Sequence, residues 1–216
     1  MRHLLLSMNV YTGLLALGLS ANAVRVMNFD NVPPGRTPPG WTVAMTNRGR
    51  APQWEVRDDR TAPTRPHVLA QVSADPVENR YPLAIWDGQS LRDGEISVRL
   101  KPVSGRETRA GGIVWRYRDE NNYYLVRANA LDKKVQVFKV EHGSRIPLMA
   151  GVTHDFPQNE WSTLKVTVKG NRFQIYMDHR RVMQGQDGTF TGSGKVGLWT
   201  AADSVTYFDD FRVSSK

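Results

Sequence analysis

Carboxylate side chains are the first candidates for chemistry in this sequence, because two of them can share acid and base roles. Enzymes that cleave glycosidic bonds with retention hold two carboxyls about 5 Å apart. A strand brings such a pair together only at short even spacings, and no two glutamates here lie within five positions of each other. The spacing therefore disfavours a catalytic pair of glutamates on one strand. The glutamates are Glu55, Glu78, Glu95, Glu107, Glu120, Glu141 and Glu160.

Histidine spacing and the lack of cysteine narrow the remaining chemistry. The chain contains no Cys, which excludes disulfide scaffolds, Cys-ligated zinc, iron–sulfur clusters and cysteine nucleophiles. His67, His142, His154 and His179 lack the short spacings of zinc ligands. The sequence also has neither a Gly-x-Ser-x-Gly elbow nor a glycine-rich phosphate loop. A Ser/His/Asp triad that assembles only in space stays open.

Arginine is the residue type that most favours ligand binding here. The chain has 21 Arg and 8 Lys, and a guanidinium offers a rigid fork of donors to hydroxyl-rich or anionic ligands. If two strand-like segments form a hairpin, Arg116, Tyr123 and Arg127 share one face, with Lys139 nearby. Trp86, at a strand end, is the best aromatic residue for stacking on a ligand. The alternative is that these are outward, solvated residues of an ordinary half-buried sheet.

Short alternating segments must position these side chains. Apolar and polar residues alternate with period two in Glu95–Lys101 and Leu164–Lys169, which is typical of half-buried strands. Gly, Asn and Asp recur between such segments at hairpin spacing, as tight turns require. No amphipathic helix of three turns follows residue 24. About a dozen short strands predict an antiparallel β-sandwich or barrel.

The first 23 residues are predicted to be a secretory signal peptide. A basic start precedes the mostly apolar run Leu4–Leu19, and Ala21-Asn22-Ala23 fits a small-x-small cleavage pattern. A membrane anchor is the alternative, but polar residues interrupt the roughly 20 apolar positions that a spanning helix needs. Cleavage leaves one domain, residues 24–216, and the loss of Arg2 lowers the formal charge from +8 to +7. An exported domain without disulfides favours a bacterial periplasmic or extracellular location.

Seven motifs spread along the mature chain resemble the motifs of known protein families. They are Asn28–Asn31, Pro39–Val43, Trp54–Val56, Ala110–Arg127, Trp161–Val166, Gly194–Thr200 and Tyr207–Val213. In this order they resemble concanavalin A-like lectin and glucanase domains, and the middle segments resemble the laminin-G-like branch. The chain is similar to bacterial secreted domains described as family-16-glycosidase-like or as 3-keto-disaccharide hydrolase domains. The resemblance implies a two-sheet antiparallel jelly-roll sandwich that binds glycans on its concave sheet, where the arginines above would lie.

Two motifs expected of those families are absent. Family-16 glycosidases carry Glu-x-Asp-x-x-Glu, or a form one residue longer, and no glutamate here sits in that pattern. The keto-sugar domains are expected to have an Asn-Ser-Gly motif and a Glu-x-Gln strand. This chain has Arg109–Gly112 and Tyr124–Arg127 at those places. These departures favour a non-catalytic domain over the activities that the resemblance implies.

Three function hypotheses follow from these observations. The favoured one is a secreted, monomeric carbohydrate-binding module that takes a glycan or acidic polysaccharide on its concave sheet. The first alternative is a hydrolase or lyase of the 3-keto-disaccharide hydrolase or family-16-like type. The second is a non-catalytic domain that binds protein or the cell envelope through its positive surface. Nucleic acid is discounted, because the basic residues are dispersed and the chain is predicted to be exported.

The resemblance also implies a structural calcium ion on the convex side of the sandwich. Asp209 occupies the place of a ligand on the last strand, and Asp30 lies near the first strand, which commonly pairs with the last. Calcium takes about six to eight oxygen ligands, many of them backbone carbonyls. The alternative is that Asp209 only forms hydrogen bonds to a loop.

Overall fold

The computed structural model describes residues 24–216, so the predicted signal peptide lies outside the described residues. Sixteen strands and no helix are found among the described residues, and accordingly no helix there is long and apolar enough to cross a bilayer. The strands are β1 Val24–Met27, β2 Trp41–Thr46, β3 Trp54–Asp58, β4 His67–Gln71, β5 Tyr81–Leu91, β6 Gly94–Ser104, β7 Ala110–Asp119, β8 Asn122–Asn129, β9 Lys134–Glu141, β10 Ser144–Pro147, β11 Val152–Thr153, β12 Ser162–Lys169, β13 Arg172–Met177, β14 Arg180–Gln186, β15 Gly194–Thr200 and β16 Val205–Ser215.

The strands form two eight-stranded antiparallel sheets. Sheet A has the order β14-β13-β12-β6-β16-β4-β3, and β1 also pairs with β16. Sheet B has the order β10-β9-β8-β7-β15-β5-β2, and β11 also pairs with β9. The first described strand therefore lies against the last one, with Val24 opposite Ser214. This architecture confirms the predicted two-sheet jelly-roll sandwich.

A main core fills the space between the two sheets. Strand β6 shows how the sequence builds it, because Ile96, Val98 and Leu100 are buried while alternate residues face outward. Large aromatic side chains bury the most area per residue. The ring centroids of Trp54 and Phe208, from sheet A, lie 5.6 Å apart.

A second core covers the outer face of sheet B. Strands β5, β7, β8, β9 and β15 are apolar on both faces, so a second set of buried side chains points away from sheet A. Tyr123 and Leu125 on β8 belong to this set, whereas Tyr124 and Val126 point into the main core. The second core contains Tyr81, Leu83, Ile85, Ala110, Val114, Tyr123, Leu125, Phe138, Val140, Trp199 and Ala201.

A β-bulge at Arg116 bends the β7–β8 hairpin over this face. Strand β7 has one residue more than β15 between the paired positions on either side of the bulge, and Arg116 has a φ of 50°. Bulges of this kind increase the local twist and bend the strand. Strand β15 approaches the bulge closely, since a Cβ on Gly194 would lie 2.5 Å from the Arg116 carbonyl carbon. Only glycine fits there.

Elements from opposite edges of sheet B meet across its outer face, and we therefore identify this face as the concave one. The hydroxyl of Thr46, at the end of β2, donates to the carbonyl of Glu120 in the β7–β8 turn (2.5 Å). It accepts a hydrogen bond from the hydroxyl of Tyr123 (2.7 Å). Asn47 donates to the carbonyl of Gly143 in the β9–β10 turn (3.3 Å). These contacts close much of the concave face and leave an opening at one end of the second core.

Candidate functional site

The opening is a groove of about 330 Å³ on the outer face of sheet B, called here the sheet B groove. This volume lies at the lower end of the range for small-molecule sites. Two arginines and three carboxylates line it together with a tyrosine at its floor. These six residues are Glu78, Tyr81, Glu107, Arg127, Asp132 and Arg145.

Arg145 on β10 is held between two aromatic rings. Its guanidinium carbon lies 4.9 Å from the ring centroid of Tyr81 and 4.8 Å from that of Phe138. A cation over the face of an aromatic ring is stabilised by the ring quadrupole. Stacking against the second core therefore fixes the plane of the guanidinium at the edge of the groove.

Arg127 on β8 forms the second cationic wall of the groove. Its Nη2 lies 2.5 Å from Oδ2 of Asp132, and the two side chains are 13% and 38% exposed. The Arg127 Nε and the Thr108 hydroxyl are buried and have no hydrogen-bond partner among residues 24–216. Buried polar groups normally have partners, so these two atoms mark unused hydrogen-bonding capacity beside the groove.

The floor and one wall of the groove are fixed by the loop that precedes β5. The Tyr81 hydroxyl donates to the side-chain oxygen of Asn79 (2.7 Å), and burial raises the pKa of Tyr81. The buried Arg80 anchors the same loop by donating to the carbonyls of Ala202 (2.8 Å) and Arg50 (3.0 Å). The groove is therefore built on fixed backbone at its Tyr81 side.

The groove suits a polar ligand that both donates and accepts hydrogen bonds. Two guanidinium groups supply donors in fixed planes, and Glu78, Glu107 and Asp132 supply acceptors. No group of three His, Cys, Asp or Glu side chains among the described residues could hold a metal ion. The arrangement fits recognition of a hydroxyl-rich molecule by direct hydrogen bonds.

A family comparison accounts for nearly all of the described chain. The model of the 3-keto-alpha-glucoside-1,2-lyase-like domain matches residues 27–214. The chain belongs to this family. The resemblance to 3-keto-disaccharide hydrolase domains seen in the sequence is thereby confirmed.

Three proteins similar to this chain come from Bacillus species. Levanase of Bacillus subtilis strain 168 is 33% identical over 110 residues, which are 50% of this chain and 16% of levanase. The carbohydrate binding module CBM66 from Bacillus subtilis has a TM-score of 0.64 at 24% identity, over 81% of this chain and 96% of that one. Bacillus licheniformis beta-glucanase has a TM-score of 0.56 at 14% identity, over 84% and 95%. The two structural matches show a shared concanavalin A-like fold.

Arg127 is the one predicted ligand-binding residue that lines the sheet B groove. Tyr123 points to the same face of sheet B, as its strand parity predicts, but it is fully buried in the second core. Burial raises the pKa of the Tyr123 hydroxyl. Tyr123 thus supports the closed part of the concave face. Ligand binding by Arg127 stays a prediction.

Arg116 does not line the concave face, and its predicted position is wrong. Its guanidinium donates to the carbonyls of Phe190 (2.5 Å) and Gly170, and it lies 3.9 Å from the carboxylate of Asp93. The bulge adds one residue to β7, which interrupts the two-residue alternation on which the prediction depended. Arg116 instead joins loops at the far edge of the sandwich.

Lys139 and Trp86 also lie away from the groove, and Trp86, predicted to be at a strand end, lies in the middle of β5. Lys139 donates to the hydroxyl of Thr189 (2.9 Å) and lies 2.9 Å from Glu141. It alternates with Phe138, which points into the second core. Trp86 is partly buried against the main core. Both side chains therefore lie on the opposite side of sheet B from the groove.

Asp209 and Asp30, the predicted calcium ligands, accept hydrogen bonds from backbone amides. The Asp209 carboxylate accepts from the amides of Thr64 (2.8 Å) and Asp210 (2.7 Å), and Asp30 accepts from that of His67 (3.0 Å). Burial, with the nearby charges of Asp210 and Asp30, raises the pKa of Asp209 to about 7. These side chains do not by themselves make the oxygen-rich shell that calcium needs. Calcium binding stays a prediction of the resemblance.

Sequence analysis missed Arg145, Tyr81 and the three carboxylates of the groove. Tyr81 shares strand parity with Leu83 and Ile85, so the alternation along β5 could have placed it on the concave face. Arg145 follows a recognisable turn, but β10 has only four residues. The groove residues come from four separated segments, and no local pattern brings them together.

Proposed function

We propose that the protein is a carbohydrate-binding module that takes its ligand in the sheet B groove. The observation that carries this proposal is the juxtaposition of Arg127, paired with Asp132, and Arg145, stacked on Tyr81, around a groove of about 330 Å³. Sugar hydroxyls both donate and accept hydrogen bonds, so they match a site that holds guanidinium and carboxylate groups together.

The charge balance of the groove favours a neutral sugar. Two guanidinium groups face the carboxylates of Glu78, Glu107 and Asp132, so an additional anion would gain little from the site. The Tyr81 ring is covered by Arg145 and only 2% of the residue is exposed. Recognition therefore depends on fixed hydrogen-bond donors and acceptors rather than on ring stacking.

The similar proteins support this proposal and suggest a first ligand. One structural neighbour is a carbohydrate binding module, and the partly matching relative is a levanase. The chain spans only 16% of that relative, so levan is a choice of probe for this domain. Calorimetric titration with levan fragments, and with β-glucan fragments for comparison, measures the affinity.

Three variants connect the binding to the groove. Arg127→Ala and Arg145→Ala each remove a charged donor, and we expect each to weaken binding by at least about tenfold. Arg57→Ala removes a half-exposed arginine from sheet A and is expected to leave the affinity unchanged. Failure of the wild type to bind any neutral glycan would overturn the proposal, as would an equal loss in all three variants.

The family itself favours a second candidate, a lyase that acts on 3-keto-α-glucosides. Its support is the matched family model and the presence of three carboxylates in one groove. Incubation with a 3-keto-α-glucoside tests it, because 1,2-elimination releases the aglycone and leaves an unsaturated keto-sugar. Release that disappears in Glu78→Gln or Glu107→Gln would favour the enzyme. No release at high protein concentration would favour the binding module.

Export and a monomeric state complete the proposal. Export is supported by the charge and apolar pattern of the first 23 residues. Expression of the full chain in a bacterial host tests both, since the exported form should begin at Val24 and elute from a sizing column at the mass of one chain. A protein that stays in the cytoplasm with its N-terminus intact would contradict the proposal of export.

A further inference from the structure

The outer face of sheet A carries a row of cations that the proposed site does not use. Residues opposite each other on antiparallel strands point to the same face. Arg181 is opposite Tyr176, and Tyr176 is opposite Lys165. Lys165 is opposite Ser97, which in turn is opposite Arg212. The row crosses five neighbouring strands, a width of about 19 Å at the usual strand spacing.

A groove of about 200 Å³ runs along this row and is called here the sheet A groove. Arg99, Lys165, Tyr176 and Arg212 line it. The Nε of Arg99 is buried and has no hydrogen-bond partner among residues 24–216. An arginine with an unused donor beside an open groove is ready to bind an oxyanion.

Carboxylates near the row neutralise only part of its charge. Glu95 lies 3.6 Å from Lys165 and 2.8 Å from Lys216, so two lysines share one carboxylate. Asp210 lies 3.4 Å from Arg212. The carboxylate of Asp178, in the turn before β14, accepts a hydrogen bond from the backbone amide of Thr163 (2.8 Å). Among residues 24–216, neither Arg99 nor Arg181 forms an ion pair with a carboxylate.

We propose that the sheet A groove is a second binding surface, for a linear polysaccharide that carries sulfate or carboxylate groups. Cations spread over about 19 Å suit an extended polyanion, because several anionic groups can bind at once. The Lys165 ammonium lies 4.4 Å from the centroid of the Tyr176 ring. One face of the Tyr176 ring is thus covered, and besides His179 no other aromatic ring of the described residues lines the groove, whereas single-stranded nucleic acid stacks successive bases on aromatic rings.

A recessed groove also distinguishes a polymer strand from a flat membrane. The side chains of Lys165 and Glu95 are each only 34% exposed, and Arg99 is also partly buried. A single chain can enter such a groove, whereas a bilayer surface reaches only the exposed ends of cations. This surface lies on the other sheet from the sheet B groove, so an experiment can contradict one of the two proposed binding sites without contradicting the other.

Dextran sulfate and uncharged dextran form a matched pair of probes. The protein is titrated with both at low and moderate salt, and the sulfated polymer is expected to bind at least about tenfold more tightly, because only its sulfate groups can pair with the sheet A cations. Affinity should rise with chain length until the polymer spans the row, and it should fall with salt. Equal binding of both dextrans would overturn the proposal.

Two variant proteins with the same net charge test the location of binding. Lys165→Ser, Arg181→Ser and Arg212→Ser are combined in one protein, which is expected to bind dextran sulfate at least about tenfold more weakly. If that protein melts early, the Arg181→Ser/Arg212→Ser double variant replaces it, because both side chains are exposed, and the control below then omits Lys134→Ser so that the net charges still match.

The matched control combines Arg48→Ser, Lys133→Ser and Lys134→Ser, three exposed positions outside the sheet A groove. It is expected to keep full affinity, and Arg127→Ala is expected to do the same. Equal loss in the control would show that net charge alone attracts the polymer, which overturns the proposal. Tighter binding to anionic vesicles or single-stranded DNA, with the same dependence on the row, would assign the surface to those partners instead.

Discussion

The outer faces of the two sheets are built in opposite ways. Strands of sheet B are apolar on both faces, and a bent hairpin covers the outer one, leaving a groove with nearly balanced charge. Strands of sheet A alternate apolar with polar residues, and their outer face stays open and basic. One sandwich therefore offers two kinds of surface. In our proposals, the covered sheet takes a small neutral ligand and the open sheet takes a charged polymer.

The largest expected effect comes from Arg116, the buried residue at the bulge. Arg116→Ala leaves the carbonyls of Phe190 and Gly170 without their donor and creates a cavity. We expect the free energy of unfolding to fall by about 3–5 kcal/mol, measured by urea titration. If the bulge is what closes sheet B, Arg116→Ala should lower the affinity of the sheet B groove more than the affinity of the sheet A groove.

The control for this prediction is Arg118→Ala on the same strand. Arg118 is exposed, and its guanidinium carbon lies 4.9 Å from the centroid of the Phe190 ring, so its loss should cost less than about 1 kcal/mol. Similar losses for Arg116 and Arg118 would contradict the structural role of the bulge.

A buried carboxylate on sheet A gives the next largest effect, and it depends on pH. The pKa of Asp209 is raised from 3.8 to about 7, so the folded state holds this proton more tightly than the unfolded chain does. Its stabilising contribution is complete below about pH 4 and is lost as pH rises through about 7. Wild type should thus lose stability from pH 5 to pH 8 relative to Asp209→Asn, by roughly 1–3 kcal/mol.

The comparison with Asp209→Asn is necessary because other carboxyls oppose this trend. Hydrogen bonds or ion pairs lower the pKa of Asp87 and Glu95, and those groups stabilise the fold as pH rises. Urea titrations of both proteins at pH 5 and pH 8 isolate the Asp209 contribution. Parallel pH dependence in the two proteins would show that Asp209 does not titrate in this range.

Tyr123→Phe probes the closure of sheet B with a smaller change. It removes the hydroxyl that donates to Thr46 (2.7 Å) but keeps the ring in the second core. The net value of one hydrogen bond is about 1 kcal/mol, and we expect that loss in thermal or urea unfolding. Tyr117→Phe is the control, because that residue packs at the edge of the same core. An unchanged stability for Tyr123→Phe would show that the hairpin is held by packing alone.

Calcium should give the smallest effect. If an ion binds at Asp30 and Asp209, as the resemblance implies, it must compete with the amides that these carboxylates already accept. The calcium prediction expects a slightly higher melting temperature in calcium than in excess chelator, because a ligand of the folded state stabilises it. The difference should vanish in Asp209→Asn. Equal melting temperatures for the wild type in both solutions would exclude the ion.

Period-two alternation predicted sheet A well because its outer face is solvated. Glu95–Lys101 and Leu164–Lys169 lie within β6 and β12, and their apolar residues point into the main core. On sheet B the same rule fails to separate inside from outside, since β8 is buried on both faces. Tyr123 was therefore assigned to the right face, while its burial under the hairpin depended on long-range contacts.

The candidate site was only partly accessible from the sequence. Arg127 could be placed on the concave face by parity, because no bulge precedes it on β8. Arg116 could not, because a single extra residue reversed its direction. Arg145 and Asp132 meet Arg127 only after β8, β9 and β10 have paired, which is information that no local pattern contains.

The pairing of the first described strand with the last has a mechanical consequence. Val24 lies opposite Ser214, and the two strands run antiparallel. A force that pulls these two ends apart loads their hydrogen bonds one pair at a time, from Val24 toward Met27. The four pairs of β1 would therefore break one after another, and β1 would peel away from β16 at low force.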